Sequence, residues 1–297
     1  MTVGIVTNKE KDPALSYTNT VTTFLEGRGV AVVDFFAHFT PCILNRRHKS
    51  AGMKNPKADF SHFPNGEVTA GSAELDFCIV LGGDGTILGC AKIAALHGIP
   101  ILGINLGTLG FLTAAKKENG LQLLSDVLKL FTHKAVPAIT LESRMMLELL
   151  QKDTISHVPP IALNDFCFGP SGGLKTFTIY VNGHEINTIR ADGIIVATPT
   201  GSTAYSLSAG GPILIPNGQM MAITPICPHS LSARPLVIGE ADIVSIKTYH
   251  ASPIIADGVV IGKTTEGECL TVQKSRYHTS IIRTKQAQIY DVLSVVK

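Results

Sequence analysis

The chain has 297 residues, a formal net charge of +2 and only 16% charged residues. This length fits one large or two medium domains, and the small net charge gives no reason to expect a nucleic-acid partner. No apolar run reaches the ~18 residues that a membrane-spanning helix needs, which argues against a membrane protein. The hydrophobic content of 45% predicts a large core, to which contacts between subunits can add.

Six cysteines stand singly along the chain, at positions 42, 78, 90, 167, 227 and 269. None forms a C-x-x-C pair, and isolated cysteines in apolar surroundings are usually small core residues in a reducing compartment. We therefore expect no zinc site and a cytoplasmic location. The N-terminal stretch lacks the apolar core and the cleavage site of a signal peptide.

The first third of the chain alternates strands and helices. Residues 3–6 predict a strand, a helix opens at Asp12 and Pro13 and runs towards Gly27, and residues 30–36 predict a second strand. Residues 37–72 show no sustained period and have a basic middle, which indicates a variable surface segment with at most one helix.

A short glycine-rich stretch, GGDGT at residues 82–86, follows the buried-strand pattern of residues 77–81 and precedes a helical pattern that ends at Gly98. A glycine turn between a strand and a helix makes backbone N–H groups converge on an anion. Asp84 is the unexpected residue, because a carboxylate repels a phosphate unless it takes a proton or helps to hold a metal ion. A plain Asp-Gly turn is the alternative, but the flanking glycines and the buried strand favour a functional turn.

A second glycine-rich turn, at residues 105–112, follows the strand predicted at 101–104, and a helical stripe runs from Leu121 to about His133. Strands that alternate with helices predict a parallel, doubly wound sheet. Ligands of such sheets bind beyond the carboxyl ends of the strands, which is where both glycine turns fall.

After Pro137 the pattern changes to short strands. Residues 139–150 favour a strand, and Asn182 with Gly183 predicts a type I′ turn between strands at 177–181 and 185–189. Further strands are predicted at 193–197, 236–238, 243–248, 254–256, 269–272 and 280–282. We expect an all-β domain at residues 138–275, a sandwich or layered sheet. The α/β domain then comprises residues 1–137 plus about 276–297, with a helix at 286–296 that returns to it.

Hydroxyl groups crowd the stretch at residues 198–212, on Thr200, Ser202, Thr203, Tyr205, Ser206 and Ser208. A helix that began near Ser202 would point free N–H groups and hydroxyls at one polar ligand. A Ser/Thr-rich turn with a helix cap would explain only two of these hydroxyls, so ligand binding is the favoured interpretation.

Other polar residues interrupt apolar runs. Asn164 and Asp165 divide such a run and must be paired if they are buried, although an Asx turn would also explain them. Arg190 and Asp192, just before the strand at 193–197, would more often form a salt bridge than a site. His229 is conspicuous, but a lone histidine is usually structural, and we assign it no catalytic role.

Five segments together resemble the NAD kinase family. They are GGDGT at 82–86, a G-x-N-x-G-x-x-G-F-L turn at 103–112, Asn164 with Asp165, TPTGSTAYSLSAGGPI at 198–213 and PHSLSARPLVI at 228–238. GGDGT alone is equally similar to the diacylglycerol and sphingosine kinases and to the phosphofructokinase turn. The long hydroxyl-rich segment is specific to NAD kinases among these, and the resemblance covers roughly residues 75–260.

The resemblance implies phosphoryl transfer from ATP, or from inorganic polyphosphate in some members, to the 2′-hydroxyl of the NAD adenosine ribose, giving NADP. It implies a homodimer or homotetramer with the site shared between subunits. The glycine turn alone leaves the charge of a triphosphate uncompensated, so we expect a divalent metal, Mg²⁺, carried with ATP rather than by a metal cage of the protein. Asp84 would be the general base. Phosphates would bind at Gly82, Gly83, Gly85 and Thr86, and NAD would contact Asp84, Gly85, Asn164, Asp165, Lys175, Arg190, Asp192, Thr203, Ala204, Tyr205, Ser206, Leu207 and Ser208.

Three departures from the family pattern stand out. The family usually carries Glu where this chain has Asp165, often Gln where it has Val259, and in many members Arg where it has Thr108. None of these departures replaces Asp84, so we expect activity to be kept. They bear instead on the preference for a phosphoryl donor and on the preference for the oxidised or the reduced nicotinamide. A lipid or sugar kinase with the same GGDGT turn, and a non-catalytic NAD(P)-binding sensor, are the alternatives.

Overall fold

The computed structural model describes residues 1–39, 75–107, 110–132, 139–150, 160–170, 172–230 and 233–284. These residues form two compact units. The first holds the described residues up to 143 together with 279–284, and the second holds those from 144 to 278.

The first unit is built on a parallel sheet. Its strands lie in the order β2, β1, β3 and β4, with bounds of Thr2–Thr7 for β1, Ala31–Asp34 for β2, Phe77–Gly82 for β3 and Ile101–Asn105 for β4. Every pairing among them is parallel. A two-residue strand, β5 (Ala115–Lys116), pairs with the end of β4.

Helices cover both faces of this sheet: α1 (Ser16–Glu26), α2 (Phe35–Phe39), α3 (Asp84–His97) and α4 (Lys117–Thr132). On one face, Val21 of α1 and Leu124 of α4 share a core with Ile79 of β3. On the other face, the side chain of Ile87 in α3 lies so close to Gly103 of β4 that a Cβ there would be 2.6 Å from its methyl carbon. The predicted doubly wound arrangement is confirmed.

The strand predicted at residues 30–36 is too long. β2 ends at Asp34, whose Oδ1 accepts a hydrogen bond of 2.8 Å from the backbone N–H of Ala37 and so caps the short helix α2. Phe35 is fully buried in that helix and packs over Gly4 of β1. The aromatic and β-branched residues of this run predict a strand, and only the capping role of Asp34 shows that the strand ends there.

The second unit is a β sandwich. One sheet contains β9 (Lys175–Val181), β10 (His184–Ala191), β14 (Val244–Thr248) and the first part of β17 (Cys269–Thr284). At its side lie β7 (Ile161–Ala162) and β6 (Ile139–Leu150), whose residues up to Ser143 belong to the first unit. The other contains, in order, β13 (Leu236–Gly239), β12 (Met220–Ile226), β11 (Gly193–Ala197), β8 (Asp165–Phe168), β15 (Pro253–Ala256) and β16 (Val259–Lys263). Side chains of both sheets, among them Phe166, Phe177 and Val244, share one apolar core.

Two predictions in this unit are confirmed, and some strands were missed. Residues 139–150 form β6, and Asn182 and Gly183 both have positive φ, as a type I′ turn between β9 and β10 requires. β12 and β16 were not predicted. Pro225 lies inside β12, and proline is rarely found in a central strand, so the run does not look like one.

The strands predicted at 269–272 and 280–282 are parts of one strand of 16 residues, β17. Its residues up to His278 belong to the second unit, and those from Thr279 belong to the first. There Ile281 pairs in parallel with Ile101 of β4. The helix predicted at 286–296 lies outside the described residues, and so does most of the basic segment at 37–72.

Within the described ranges, no helix combines the length and the apolar character that crossing a membrane would require.

Candidate active site

The first glycine-rich turn joins β3 to α3. Gly82 is the last residue of β3, Gly83 precedes the helix, and Asp84 is its first residue. The first N–H groups of a helix have no acceptor within it, so those of Asp84 and Gly85 are available to an anion at the positive end of this 14-residue helix. A Cβ on Gly82 would lie 2.7 Å from Cβ of Thr86, so only glycine fits there.

Asp84 turns its carboxylate towards the second glycine-rich turn. Oδ2 accepts a hydrogen bond of 2.7 Å from the backbone N–H of Phe111, and Oδ1 accepts one of 3.0 Å from that of Leu112. A Cβ on Gly110 would lie 2.6 Å from Oδ2, so glycine is needed for this close approach. The carboxylate that the sequence placed in a phosphate site is thus bound by two N–H groups of another loop and is held in one orientation.

Arg283 supports the same loop from its other side. Its Nη1 donates a hydrogen bond of 2.6 Å to the backbone carbonyl of Phe111, and its Nε lies 3.9 Å from Oε2 of Glu142. Only 3% of Arg283 is exposed. Sequence reasoning missed this residue, although an arginine directly after Ile281 and Ile282 in an apolar strand was a signal that it could be buried.

The loop after β1 is also connected to the first turn. The backbone N–H of Asn8 donates to the carbonyl of Leu81 at 2.8 Å, and Asn8 Nδ2 lies 3.4 Å from Oγ1 of Thr86. Thr86 Oγ1 in turn accepts a long hydrogen bond, 3.4 Å, from the N–H of Gly83. Asn8 therefore fixes the loop beside the glycine turn, a role that the sequence did not reveal.

In the second unit, Asp257 holds the turn that carries Asn164 and Asp165. Its carboxylate accepts hydrogen bonds from the backbone N–H groups of Leu163 (2.8 Å), Asn164 (2.6 Å) and Asp165 (3.2 Å). Asn164 is 9% and Asp165 4% exposed, and neither side chain forms a hydrogen bond with any residue that the structure describes. Buried polar groups need partners, so this pair is suited to a polar ligand.

The charge of Asp257 acts on the carboxyl of Asp165. Burial, and then the charge of Asp257, raises the pKa of Asp165 to about 7. Burial raises the pKa of Asp257 to about 6, against the effect of its three N–H donors, which favour the charged form. Asp257 is therefore the member that stays ionised longer as the pH falls, and Asp165 is the member that binds a proton first.

The hydroxyl-rich stretch is joined to this turn. Thr198 Oγ1 donates to the carbonyl of Leu163 at 2.6 Å, and the N–H of Thr198 donates to the carbonyl of Asn164 at 2.9 Å. Gly201 packs directly on the backbone of Asn164, and a Cβ there would overlap its carbonyl group. Two motifs that are distant in the sequence thus form one structural element.

Several of the hydroxyls serve the turn itself. Ser202 Oγ donates to the carbonyl of Pro199 at 2.7 Å and accepts from the N–H of Leu214 at 3.0 Å. Ser206 Oγ is 2.9 Å from Oγ1 of Thr224, and both of these residues are fully buried. The helix predicted from Ser202 is instead a 3₁₀ turn, Gly201–Thr203, followed by the four-residue helix α5 (Tyr205–Ser208). The outward face of the stretch consists of Thr203, Ala204, Tyr205, Leu207 and Ser208.

The hydroxyl of Tyr205 is affected by the charges of two other predicted site residues, Asp165 and Asp192. Burial raises the pKa of its hydroxyl, and further contributions come from Cys167, Cys227, Asp165 and Asp192. Tyr205 is 42% exposed, so its ring is open to a ligand. The carboxylates of Asp165 and Asp192 therefore act on the same phenol.

Lys175 and Arg190 are placed differently. Lys175 is buried, and its Nζ donates to the carbonyls of Gly172 (2.9 Å) and Gly173 (3.1 Å). Arg190 is exposed on β10 and forms no ion pair with Asp192, although the structure describes both residues. In the described part of the chain, no side-chain hydrogen bond or ion pair joins either residue to another predicted NAD residue.

The donor groups for a resident metal are not assembled. Among the described residues, no three His, Cys, Asp or Glu side chains lie close enough together to hold a metal ion. Near the first glycine turn, Asp84 already accepts two N–H groups.

Free helix N–H groups beside a fixed carboxylate are the groups with which a phosphotransferase binds a phosphate and accepts a proton. Two family models match the chain, the ATP-NAD kinase N-terminal domain at residues 3–131 and the ATP-NAD kinase C-terminal domain at residues 164–284. The chain belongs to the NAD kinase family.

Individual relatives agree with this assignment. An NAD kinase from Symbiobacterium thermophilum is 36% identical over 297 residues, which cover 98% of this chain and 96% of that protein. The structure is similar to a yeast NADH kinase complexed with NADH (TM-score 0.72, 25% identity, 97% of this chain and 84% of that chain). The fold is also that of an NAD kinase from Archaeoglobus fulgidus in complex with ATP (TM-score 0.70, 24% identity, 96% of this chain and 95% of that chain). The family resemblance and the fold class predicted from the sequence are confirmed.

Proposed function

We propose that this kinase transfers the terminal phosphoryl group of ATP, or of polyphosphate, to the 2′-hydroxyl of the NAD adenosine ribose, with Asp84 as the general base. Membership of the NAD kinase family supports NAD as the acceptor. The observation that carries the assignment of Asp84 is its carboxylate, which two backbone N–H groups hold at the start of α3.

The chemical step needs one proton acceptor. As the 2′-oxygen attacks the terminal phosphorus, its proton passes to Asp84, the new O–P bond forms, and the bond from phosphorus to the bridging oxygen breaks to release ADP or a shortened polyphosphate. A carboxylate has about four lone-pair sites, and Phe111 and Leu112 use two of them. A lone pair therefore remains for the hydroxyl, and general-base help of this kind is worth ~10²–10⁴-fold.

The donor phosphates would bind at Gly82, Gly83, Gly85 and Thr86. The support is the helix N-terminus with its free N–H groups and the close approach that the glycines permit. Phosphoryl transfer depends mainly on positioning and on neutralising charge, so a rigid turn of this kind is suited to it.

The acceptor would bind through the second unit and through Asp84 and Gly85. Asn164 and Asp165, whose side chains have no partner in the described residues, would hold the ribose or the adenine. Asp192 and residues 203–208 would line the adenine and nicotinamide pockets. Ser206 would contribute its backbone, because its hydroxyl bonds Thr224. Lys175 and Arg190 stay in the proposed set on the family resemblance alone.

Asp165 replaces the glutamate that is usual in the family, and its carboxylate is one methylene shorter. We infer that a water bridges it to the ribose, since a water-mediated hydrogen bond is nearly as favourable as a direct one. A divalent cation, Mg²⁺, would enter with ATP as part of the substrate and neutralise phosphate charge. A homodimer or homotetramer with a shared site, and a cytoplasmic location, stay predictions from the sequence.

The test is NADP formation by the purified full chain. ATP, other nucleoside triphosphates and polyphosphate are supplied in turn with Mg²⁺, and NAD and NADH serve as acceptors. We expect NADP or NADPH from at least one donor and no phosphorylation of diacylglycerol. Phosphorylation of the lipid in place of NAD would identify a lipid kinase, and NAD binding without any NADP would identify a sensor. Either result would contradict the proposal.

A further inference from the structure

Lys11 lies in the loop after β1, and its ammonium reaches both glycine-rich turns of the first unit. A Cβ placed on Gly83 would be 3.2 Å from Lys11 Nζ, and one placed on Gly107 would be 3.3 Å from it. The ammonium thus occupies the space that side chains at these two positions would fill. Glycine at both positions therefore allows the ammonium to lie against the backbone of each turn.

The backbone that carries Lys11 is fixed. Asn8 Oδ1 accepts hydrogen bonds from the N–H groups of Glu10 (3.0 Å) and Lys11 (3.2 Å). Asn8 is itself bonded to Leu81 at the end of β3. The position of Lys11 relative to the first glycine turn is therefore set by the backbone and does not depend on the lysine side chain alone.

No carboxylate of the described residues neutralises the positive charge of Lys11. Lys11 is exposed and forms no ion pair with any carboxylate in the described residues. The oxygens of Asp84 are directed to Phe111 and Leu112 instead. An unpaired ammonium and the free N–H groups of a helix start thus lie against the same turn, and both favour a negatively charged ligand.

We propose that Lys11 binds the phosphate oxygens of the phosphoryl donor and spans the two glycine-rich turns to do so. The proposal rests on the proposed function, because it adds a residue to the donor site described there. A donor carries a chain of three or more phosphates, and the helix N-terminus binds a single phosphate group. The ammonium of Lys11, which reaches both turns, can contact a further phosphate of the same chain. Neither the sequence motifs nor the family resemblance had assigned a role to Lys11.

Kinetics and binding of Lys11 variants test the proposal. The variants are Lys11→Ala, Lys11→Gln and Lys11→Arg, and the matched control is Lys9→Ala, which removes an exposed lysine from the same loop. KM for MgATP is measured at saturating NAD, and KM for NAD at saturating MgATP. Binding of MgATP and of inorganic triphosphate is measured by calorimetry, which needs no turnover, and circular dichroism checks the fold.

We expect Lys11→Ala and Lys11→Gln to raise KM for MgATP about tenfold, the effect of one charge-assisted hydrogen bond at a site open to water, and to weaken triphosphate binding equally. KM for NAD should stay within twofold, Lys11→Arg should restore most of the loss, and added salt should shrink it. Donor binding that equals that of Lys9→Ala would overturn the proposal, as would a rise in KM for NAD alone. Absence of NADP formation by the wild-type protein would refute the proposed function instead, while the triphosphate measurement would still decide on Lys11.

Discussion

Asp84 and Arg283 each form a hydrogen bond with the backbone of the same residue, Phe111. Phe111 donates its N–H to Asp84 Oδ2 at 2.7 Å and accepts a hydrogen bond from Arg283 Nη1 on its carbonyl at 2.6 Å. The orientation of the proposed base therefore depends on a loop that a buried arginine keeps in place.

Replacing Asp84 by asparagine should abolish most turnover. The amide of Asp84→Asn keeps one oxygen to accept an N–H from the loop but cannot take a proton, so kcat should fall by about 10²-fold or more. Binding of NAD, measured by calorimetry, should change little. Asp126→Asn, which alters a partly exposed aspartate of the same unit, is the control and should be fully active. Turnover close to that of the wild type would remove Asp84 from the role of base.

Replacing Arg283 should reduce kcat through the loop. Arg283→Met fills similar space but leaves the carbonyl of Phe111 without its donor, and losing a buried hydrogen bond from a charged group costs about 1.5–3 kcal/mol. We expect a lower kcat with KM for NAD unchanged, and partial recovery in Arg283→Lys. A purely structural role would lower the amount of folded protein, seen as a shift in thermal unfolding, while leaving kcat per folded molecule intact.

A methyl group on Gly110 should displace the carboxylate of Asp84. The added Cβ would lie 2.6 Å from Oδ2, so either the carboxylate or the loop must move. A shift of about 1 Å at a reacting group can cost 10²-fold in rate. Gly110→Ala should therefore show a kcat loss approaching that of Asp84→Asn. Gly262→Ala is the control, because its Cβ would meet only Ile254 at 3.9 Å.

Asp257 should be needed for binding the acceptor but not the donor. Asp257→Asn tolerates the positive φ of 49° at this position, yet one of its two acceptor oxygens becomes an NH₂ group that faces backbone N–H donors. We expect a stability loss of about 1–3 kcal/mol and a higher KM for NAD with KM for MgATP unchanged. Asp242→Asn, in which a partly exposed carboxylate also accepts a backbone N–H, should leave both constants as they are. Equal effects on both substrates would contradict this.

The raised pKa of Asp165 gives a pH dependence of defined sign. The carboxyl titrates near 3.8 when unfolded and near 7 when folded, because it is buried beside Asp257. Between these pH values the folded state keeps a proton that the unfolded state has lost, so the free energy of unfolding falls as the pH rises from about 4 to about 7.

Replacing Asp165 by asparagine should abolish this decrease in the free energy of unfolding between about pH 4 and about pH 7. The midpoint of thermal unfolding of Asp165→Asn, relative to wild type, should be higher at pH 8 than at pH 5 by several degrees. Asp126→Asn serves as the control. The pKa of Asp126 is lowered by its hydrogen bond with Lys129, so the contribution of Asp126 to stability is complete above about pH 4. The difference in unfolding midpoint between Asp126→Asn and wild type should therefore not vary between pH 5 and 8. A pH-independent difference for Asp165→Asn would show that the proton resides elsewhere.

The elements that local patterns encode were predicted well. The buried strand before GGDGT, the helix after it and the hairpin at Asn182 and Gly183 each have a signal within a few residues. The prediction that Asp84 is the general base rests on the same short window.

The contacts that orient the site could not be read in this way. Asp84 is bound by Phe111 and Leu112, and Asp257 by residues 163–165, so each carboxylate has its partners in a distant part of the chain. The density of hydroxyls at 198–212 suggested a ligand, yet Ser202 and Ser206 bond Leu214 and Thr224. Composition shows that hydroxyl groups are present, but only the folded structure shows which of them already form hydrogen bonds within the protein.

The division of β17 between the two units has a consequence for the order of assembly during synthesis. Ile281 pairs with Ile101, and Arg283 holds the loop of Phe111, so the first unit takes both contacts from residues that leave the ribosome after nearly the whole second unit. Contacts of such high sequence separation form late and slowly. The nascent chain therefore carries Asp84 long before the loop that orients it is secured, and the phosphotransferase becomes competent only when the strand that leaves the sandwich has joined the parallel sheet.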